Sequence, residues 1–203
     1  IEQAILSKLK AEPFKYDILI CDADPSKRDD LNDGTGRNSK KECVLPEVML
    51  SSLKSINPTI EEDKIKEIVK TLRQDYTGTD IIDTNYKLYR QIRNNIKITV
   101  RRNGKEDFDF IKLLDFEHPK NNTFTAVSQM WIQGKVYYRR PDILIFVNGM
   151  PLVFIELKNS IVKVEEAYNK NLKDYMRDIP NLFAFNQICV LSNGLETKLG
   201  AFN

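Results

Sequence analysis

The sequence predicts an α/β protein of the α+β-like kind, with a central mixed β-sheet flanked by helices and a helical insertion. Two short apolar runs, residues 143–147 and 152–157, flank an Asn-Gly pair, which is the strongest short-range signal for a β-hairpin. Apolar residues at helical spacing over residues 45–94 indicate consecutive helices. From residue 96 onward the pattern changes to strands, then one helix and a further strand. This order predicts a sheet with helices packed on it.

Length and composition indicate one globular domain. The chain has 203 residues, of which 41% are hydrophobic and 30% charged, and its net charge of +2 is too small to predict nucleic-acid binding by itself. The three cysteines show no metal-ligand spacing, which favours a reducing compartment, and we expect the cytoplasm. No apolar run approaches the roughly 20 residues of a membrane helix. Because the chain opens inside a predicted helix without Met, we expect a segment truncated from a longer protein.

The chain divides into three predicted parts within a single domain, residues 1–203. Residues 45–94 form the helical part and residues 96–203 the core, and both follow a first helix and a strand. Residues 22–41 are mostly Asp, Asn, Lys, Arg, Ser and Gly, which predicts a flexible, solvated loop. DNA contact through its basic residues is the less favoured alternative. Those residues are Lys27, Arg28, Arg37, Lys40 and Lys41.

Boundary signals and periodicity define each predicted element. Thr59 and Glu62 have the spacing of a capping box for the second of the three helices. In the third helix, Tyr86, Tyr89 and Ile92 are predicted to face the core. The predicted helices cover residues 1–9, 45–56, 61–73, 81–94 and about 163–177. The predicted strands cover residues 16–21, 96–102, 108–116, 122–132, 136–147, 152–157 and 187–191, followed by a short last strand.

Three charged residues interrupt the apolar hairpin. Glu156 and Lys158 are two apart in a strand and therefore share a face, and the fold of the hairpin returns Asp142 to the same end. Unpaired charges there would lose hydration without compensation. A structural salt bridge of Lys158 with either carboxylate is one interpretation. The other is a divalent cation site, because hard cations prefer carboxylate oxygens.

The parity of strand pairing constrains that site. Opposed residues of an antiparallel hairpin face the same side, and their numbers add to a constant. A two-residue Asn148-Gly149 turn would give an odd sum and place Asp142 and Glu156 on opposite faces. A shared cation requires an even sum, so we predict an odd-length loop or a bulge. The form that we favour is a three-residue loop, with Phe146 opposite Met150 and Gly149 in a G1-type bulge.

Pro-Asp followed by a hairpin and Glu-x-Lys resembles the PD-(D/E)xK nuclease motif. The surrounding sequence is more specific, and it resembles the amino-terminal endonuclease domain of the restriction (motor) subunit of type I restriction enzymes. The similarity is close from about Leu88 to the end. Besides the hairpin at residues 140–159, it includes Asn122-Thr-Phe-Thr-Ala-Val-Ser-Gln, Glu166-Ala-Tyr-Asn, Ile179-Pro-Asn-Leu-Phe-Ala-Phe-Asn and Leu191-Ser-Asn-Gly-Leu-Glu-Thr-Lys-Leu-Gly.

The resemblance implies a restriction-endonuclease-like core that hydrolyses double-stranded DNA with Mg2+, for which Mn2+ can substitute. The implied metal ligands are Asp142, Glu156 and the backbone carbonyl of Leu157, and Lys158 completes the catalytic set. The family carries a Gln-x-x-x-Tyr element after this motif, where this sequence has Asn171 and Tyr175 as supporting residues. Candidates for phosphate contact are Arg139 and Arg140, and a weaker candidate for the metal is Glu2.

The resemblance also implies partners outside this chain. Specificity and modification subunits would read the DNA sequence, and ATP would be used only by motor domains that this segment lacks. Two alternatives remain open. One is a standalone PD-(D/E)xK nuclease of DNA repair or junction cleavage, and the other is a non-catalytic DNA-binding or coupling module with a nuclease fold.

Overall fold

A computed structural model describes residues 1–164 and 171–201 of the chain. The helices are α1 (Glu2–Lys10), α2 (Pro46–Ile56), α3 (Glu62–Leu72), α4 (Ile81–Asn94) and α5 (Lys173–Asp178). The strands are β1 (Asp17–Ile20), β2 (Ile96–Arg102), β3 (Lys105–Ile111), β4 (Phe124–Ser128), β5 (Ile132–Gln133), β6 (Tyr138–Arg139), β7 (Ile143–Val147), β8 (Met150–Leu157), β9 (Ile188–Ser192) and β10 (Thr197–Gly200). Short 3-10 helices lie at Pro25–Lys27, Pro119–Asn121 and Pro180–Ala184.

A mixed sheet of six strands, in the order β1-β4-β7-β8-β9-β10, forms the centre of the fold. The pairs β1-β4 and β8-β9 are parallel, and the other neighbours are antiparallel. One face carries α1, whose Leu6 packs with Ile143 and Ile155. The other face carries α5, whose Tyr175 packs with Phe154. The predicted architecture, a central mixed sheet flanked by helices, is therefore confirmed.

The sheet is distributed along the chain differently from the prediction. β1 is an edge strand of the central sheet, so this sheet draws on residues before 96. β2 and β3 pair only with each other as a separate two-stranded ribbon. β3 begins at Lys105 and ends at Ile111, earlier than predicted at both ends. No helix of the described residues is long and apolar enough to cross a membrane.

The helical part follows the predicted order with two corrections. The capping box is wrong, because α3 begins directly after Glu61, which makes no side-chain capping hydrogen bond. α4 has the predicted bounds and is capped by Asp80, but Tyr86 and Tyr89 are exposed, at 58% and 43%. Ile92 is buried as predicted. Both faces of α4 carry apolar side chains, so periodicity alone does not identify the buried face.

The β7-β8 hairpin combines a tight turn with a bulge. Asn148 and Gly149 both have positive φ, 48° and 77°, and Val147 pairs directly with Met150. The predicted three-residue loop is therefore wrong. The register then shifts, since adjacent Phe146 and Ile145 pair with Pro151 and Val153, leaving Leu152 as the extra residue. The predicted bulge is present, but it lies inside β8.

Packing of the turn against α2 and β4 explains its tightness. The side chain of Asn148 is fully buried, and it accepts a hydrogen bond from the backbone N–H of Thr123 at 2.8 Å. The backbone N–H of Leu45 donates to the carbonyl of Gly149 at 2.9 Å. A Cβ on Gly149 would lie only 2.6 Å from the carbonyl oxygen of Leu45. The turn therefore requires both its left-handed backbone and the absence of a side chain.

The 22–41 loop contains a buried ionic network. The expectation of a solvated loop is wrong for Arg37 and Lys40, whose side chains are 0% and 4% exposed and both bind Asp33. Arg37 also donates to the carbonyls of Glu42 and Trp131, which joins the loop to the core. Burial alone would raise the pKa of Asp33, but hydrogen bonds from Lys40 and Thr35 and the charge of Arg37 lower it to about 2.

Replacing Asp33 by Asn should destabilise the protein by about 3–5 kcal/mol at neutral pH, because two buried cations lose their carboxylate. The folded pKa of about 2 lies below the usual value of 3.8 for an aspartate, so this stabilisation is present above about pH 4 and is lost as the pH falls toward 2. Denaturant unfolding at several pH values measures it. The exposed Asp30 of the same loop, changed to Asn, is the control. A difference from wild type that stays constant down to pH 2 would contradict this account.

Candidate active site

The bulge in β8 brings the two predicted carboxylates to one face of the sheet. Ile143 pairs with Ile155, and the same register continued by one residue places Asp142 opposite Glu156. The Oδ2 atom of Asp142 accepts a hydrogen bond of 2.7 Å from the backbone N–H of Leu157. This bond holds the Asp142 carboxylate across the open end of the hairpin, beside the Glu-x-Lys segment.

Glu156 is the most buried acidic residue of this group, with 3% exposure. Its Oε1 atom accepts hydrogen bonds from Lys158 Nζ at 2.7 Å and from Asn171 Nδ2 at 3.1 Å. Its Oε2 atom is buried and has no hydrogen-bond partner among the described residues. Burial and the negative charge of Asp142 raise the pKa of Glu156 above its usual value, and Lys158 and the nearby hydroxyl of Tyr175 partly offset this.

The described end of the helix after the motif faces the same carboxylate. Asn171 reaches Glu156 although it is one methylene shorter than the glutamine of the family pattern. Tyr175 stacks edge-on against Phe154, with ring centroids 5.1 Å apart, and its hydroxyl donates to the carbonyl of Arg140 at 3.0 Å. Burial is the main cause that raises the pKa of Tyr175, so its hydroxyl keeps its proton. Residues 165–170, which include the Glu166-Ala-Tyr-Asn segment and the middle of the predicted helix, lie outside the described residues.

An open cleft of about 480 Å³ lies at this end of the sheet. Glu2 contributes to it from the first turn of α1, on the face opposite the Asp142 and Glu156 carboxylates. The structure therefore brings the weakest of the predicted site residues to the same cleft. The lining residues are Ile1, Glu2, Asp142, Leu157, Lys158, Asn159 and Ser160.

The two arginines before Asp142 contact protein groups. Arg139 donates to Asp178 Oδ2, from Nε at 2.7 Å, and Asp178 has a side-chain exposure of only 1%. Arg140 donates to the carbonyl of Ala23 at 2.7 Å and lies over the Trp131 ring. Both arginines are half-buried, and phosphate binding by them stays a prediction.

The donor set suits a hard divalent cation. Asp142 and Glu156 lie opposite each other at this end of the hairpin, and the described protein groups leave the buried Oε2 of Glu156 without a hydrogen bond. A buried carboxylate with a raised pKa and no partner on one oxygen is costly as a purely structural element. A bound cation would remove this cost by supplying both charge and coordination.

Two residues of this region were not predicted as parts of the site. Asp178 anchors Arg139, and its position one helical turn after Tyr175 could have indicated a shared face. Gln129 hydrogen-bonds Glu2 through its side chain and Asp142 through its backbone. No local pattern indicates this role for Gln129, which the sequence shows only as the end of a family-like segment.

Comparisons with known proteins identify the family of the chain. The family model described as type I restriction enzyme R protein N terminus matches residues 1–203. The endonuclease subunit of the type I restriction enzyme HindI from Haemophilus influenzae is 32% identical over 164 residues, covering 79% of this chain and 15% of that protein. A Methanocaldococcus jannaschii protein, provisionally named the endonuclease subunit of type I restriction enzyme MjaIXP, is 34% identical over 175 residues, covering 81% and 16%.

The matched region accounts for only a small part of each relative. Most of the chain is matched, but it spans only about 15% of the length of these curated relatives. The family match nevertheless covers every residue of the chain, including the hairpin, the cleft and the loop 22–41. The chain belongs to the family of amino-terminal regions of type I restriction enzyme R proteins.

Proposed function

We propose that this chain is the Mg2+-dependent endonuclease domain of a type I restriction enzyme and hydrolyses phosphodiester bonds of double-stranded DNA. One observation carries the proposal: the bulged hairpin sets Asp142 and Glu156 on one face, with a buried carboxylate oxygen left unpartnered by the described protein groups. The names of the relatives, endonuclease subunits of type I restriction enzymes, support the same reaction.

Asp142 and Glu156 would hold the cation, with the backbone carbonyl of Leu157 as a further ligand. When bound, a divalent cation supplies Lewis-acid activation of the phosphodiester and of the attacking water. Lys158 lines the cleft beside these residues, and its ammonium can donate to that water or to a phosphate oxygen as charge develops. Asn171 and Lys158 both hold Glu156 Oε1, which leaves the second oxygen of this carboxylate for the cation.

Neighbouring residues orient this set and complete the DNA contact. Tyr175 fixes the chain before Asp142 through the carbonyl of Arg140. Arg139 and Arg140 are candidates for contact with the DNA backbone, which positions DNA without reading its sequence. Base recognition would then belong to the specificity subunit of the complex. Translocation would belong to ATP-dependent motor domains elsewhere in the full-length protein. The relatives are long enough for such domains, since the matched region covers only 15% and 16% of their length.

The salt bridge between Lys158 and Glu156 supports a second candidate, a nuclease fold that only binds DNA or couples subunits. In that case, the pair is structural and the site needs no cation. The two candidates differ in what removal of Asp142 does, because Asp142 is not part of the Lys158 ion pair. A standalone repair nuclease is less well supported, since the chain matches only one end of much longer relatives.

Changing Asp142 to Ala in the full-length protein should lower DNA cleavage by the assembled complex on the order of 1,000-fold. The reason is that the negative charge of the transition state would lose the cation that stabilises it. Lys158 changed to Ala should show a comparable loss. ATP hydrolysis and translocation, measured in the same complex, should stay near wild type. The control is Asp63 changed to Ala, an aspartate of α3 with a side-chain exposure of 92%. Parallel loss of all three activities would instead indicate a structural role.

Mn2+ and Mg2+ should bind weakly to the protein and more tightly with DNA, whose phosphate completes the coordination shell. Changing Glu156 to Gln should remove most of this binding in calorimetry. Because the pKa of Glu156 is raised, protons compete with the cation for this carboxylate at a higher pH than they would for an exposed carboxylate. As the pH is lowered, cation binding should therefore begin to weaken at a higher pH than at a site of exposed carboxylates. Glu67 changed to Gln, at an exposed glutamate of α3, is the matched control. Equal binding by wild type and the Glu156 variant would count against the site.

A further inference from the structure

Gln129 has an uncommon backbone conformation directly after β4. Its φ is 58°, in the left-handed region that residues other than glycine, asparagine and aspartate rarely adopt. Among residues 1–164 and 171–201, the other non-glycine residues with positive φ are three asparagines and Lys15. Strained backbone of this kind persists only where surrounding contacts enforce it, and such residues cluster at functional sites.

Two hydrogen bonds of Gln129 join both sides of the cleft. Its backbone N–H donates to the carbonyl of Asp142 at 3.1 Å. Its side-chain Nε2 donates to Glu2 Oε2 at 2.9 Å. Glu2 lies in α1 and Asp142 directly precedes β7, and both line the cleft beside Lys158. One residue therefore sets the positions of two acidic residues that the fold brings from opposite faces of the sheet.

The chemistry of the Gln129 contact preserves negative charge in the cleft. A lysine or arginine at this position would neutralise Glu2, whereas a neutral amide holds the carboxylate and leaves its charge intact. With Glu2 held in this way, the described lining of the cleft has the carboxylates of Glu2 and Asp142 beside the ammonium of Lys158, and Glu156 lies opposite Asp142 across the hairpin. Such an excess of negative charge favours a divalent cation over a closed set of ion pairs.

We infer that Gln129 is a positioning residue of the active site, which holds Glu2 at the cleft and fixes the backbone of Asp142 for cation binding. This inference rests on the proposed function. It differs from a purely structural link between α1 and the sheet in one respect: the effect of the Gln129 side chain on the cation must pass through Glu2.

The test measures binding of Mn2+ alone to the full-length protein by calorimetry, together with the melting temperature without metal. Gln129 changed to Asn tolerates the left-handed backbone but is one methylene too short to reach Glu2. We expect about 10-fold weaker Mn2+ binding, as for other residues that orient metal ligands, at an almost unchanged melting temperature. Changing Glu2 to Gln should cause the same loss. In the Glu2 variant, the further change of Gln129 to Asn should add nothing.

Two controls separate this inference from the proposed function. Asn103 changed to Gly alters another left-handed residue, remote in the β2-β3 turn, and should bind Mn2+ like wild type. Asp142 changed to Ala should abolish binding, and wild-type binding by this variant would overturn the metal site itself. If the Asp142 variant fails to bind while the Gln129 or Glu2 variant binds normally, the inference about Gln129 alone is wrong. Additive losses in the double variant would overturn it as well, because Gln129 would then act independently of Glu2.

Discussion

Two carboxylates on neighbouring strands can share one ion only when both strands present them on the same face. In this hairpin that condition is set by Leu152, the extra residue of β8 between Pro151 and Val153, whose partners in β7 are adjacent. A tight Asn148-Gly149 turn would by itself put Asp142 and Glu156 on opposite faces. The turn is nevertheless tight, because its buried asparagine and its glycine pack against β4 and α2. The bulge shifts the register by one residue, so the hairpin keeps its tight turn and still presents both carboxylates on one face.

The helix side of the site depends on a second set of contacts, centred on a buried aspartate. Asp178 holds Arg139, and Tyr175 holds the carbonyl of Arg140, so α5 is joined to the two residues before Pro141. A Cβ on Gly134 would lie 1.9 Å from the carbonyl oxygen of Asp178, so only glycine allows this close approach. The segment that leads into Asp142 is thus held from α5 on one side and from Gln129 on the other.

Local signals predicted the elements well and their partners less well. The bounds of α4 agree with the prediction because Asp80 caps the helix in sequence and in space. The separation of β2 and β3 from the central sheet depends on tertiary packing, which the periodicity of a hairpin sequence does not predict. Parity predicted a bulge but not its place, although Pro151, a proline in a central strand, was the available signal. The burial of Arg37 in a polar loop depends on the geometry of its ion pair with Asp33, which the amino-acid composition of the loop does not predict.

The extra residue of β8 also determines how the hairpin can change in length. Loss of any single residue between Pro151 and Ile155 could be absorbed by closing the bulge, after which Asp142 would still oppose Glu156. Gain of a residue in β8 has no such remedy, since it would demand a second bulge or invert the side of Glu156. A residue gained in β7 would meet the unpaired position of β8, but it would shift the ladder with β4, in which every residue of β7 is paired. The hairpin should therefore accept shortening of β8 more readily than any other change in length.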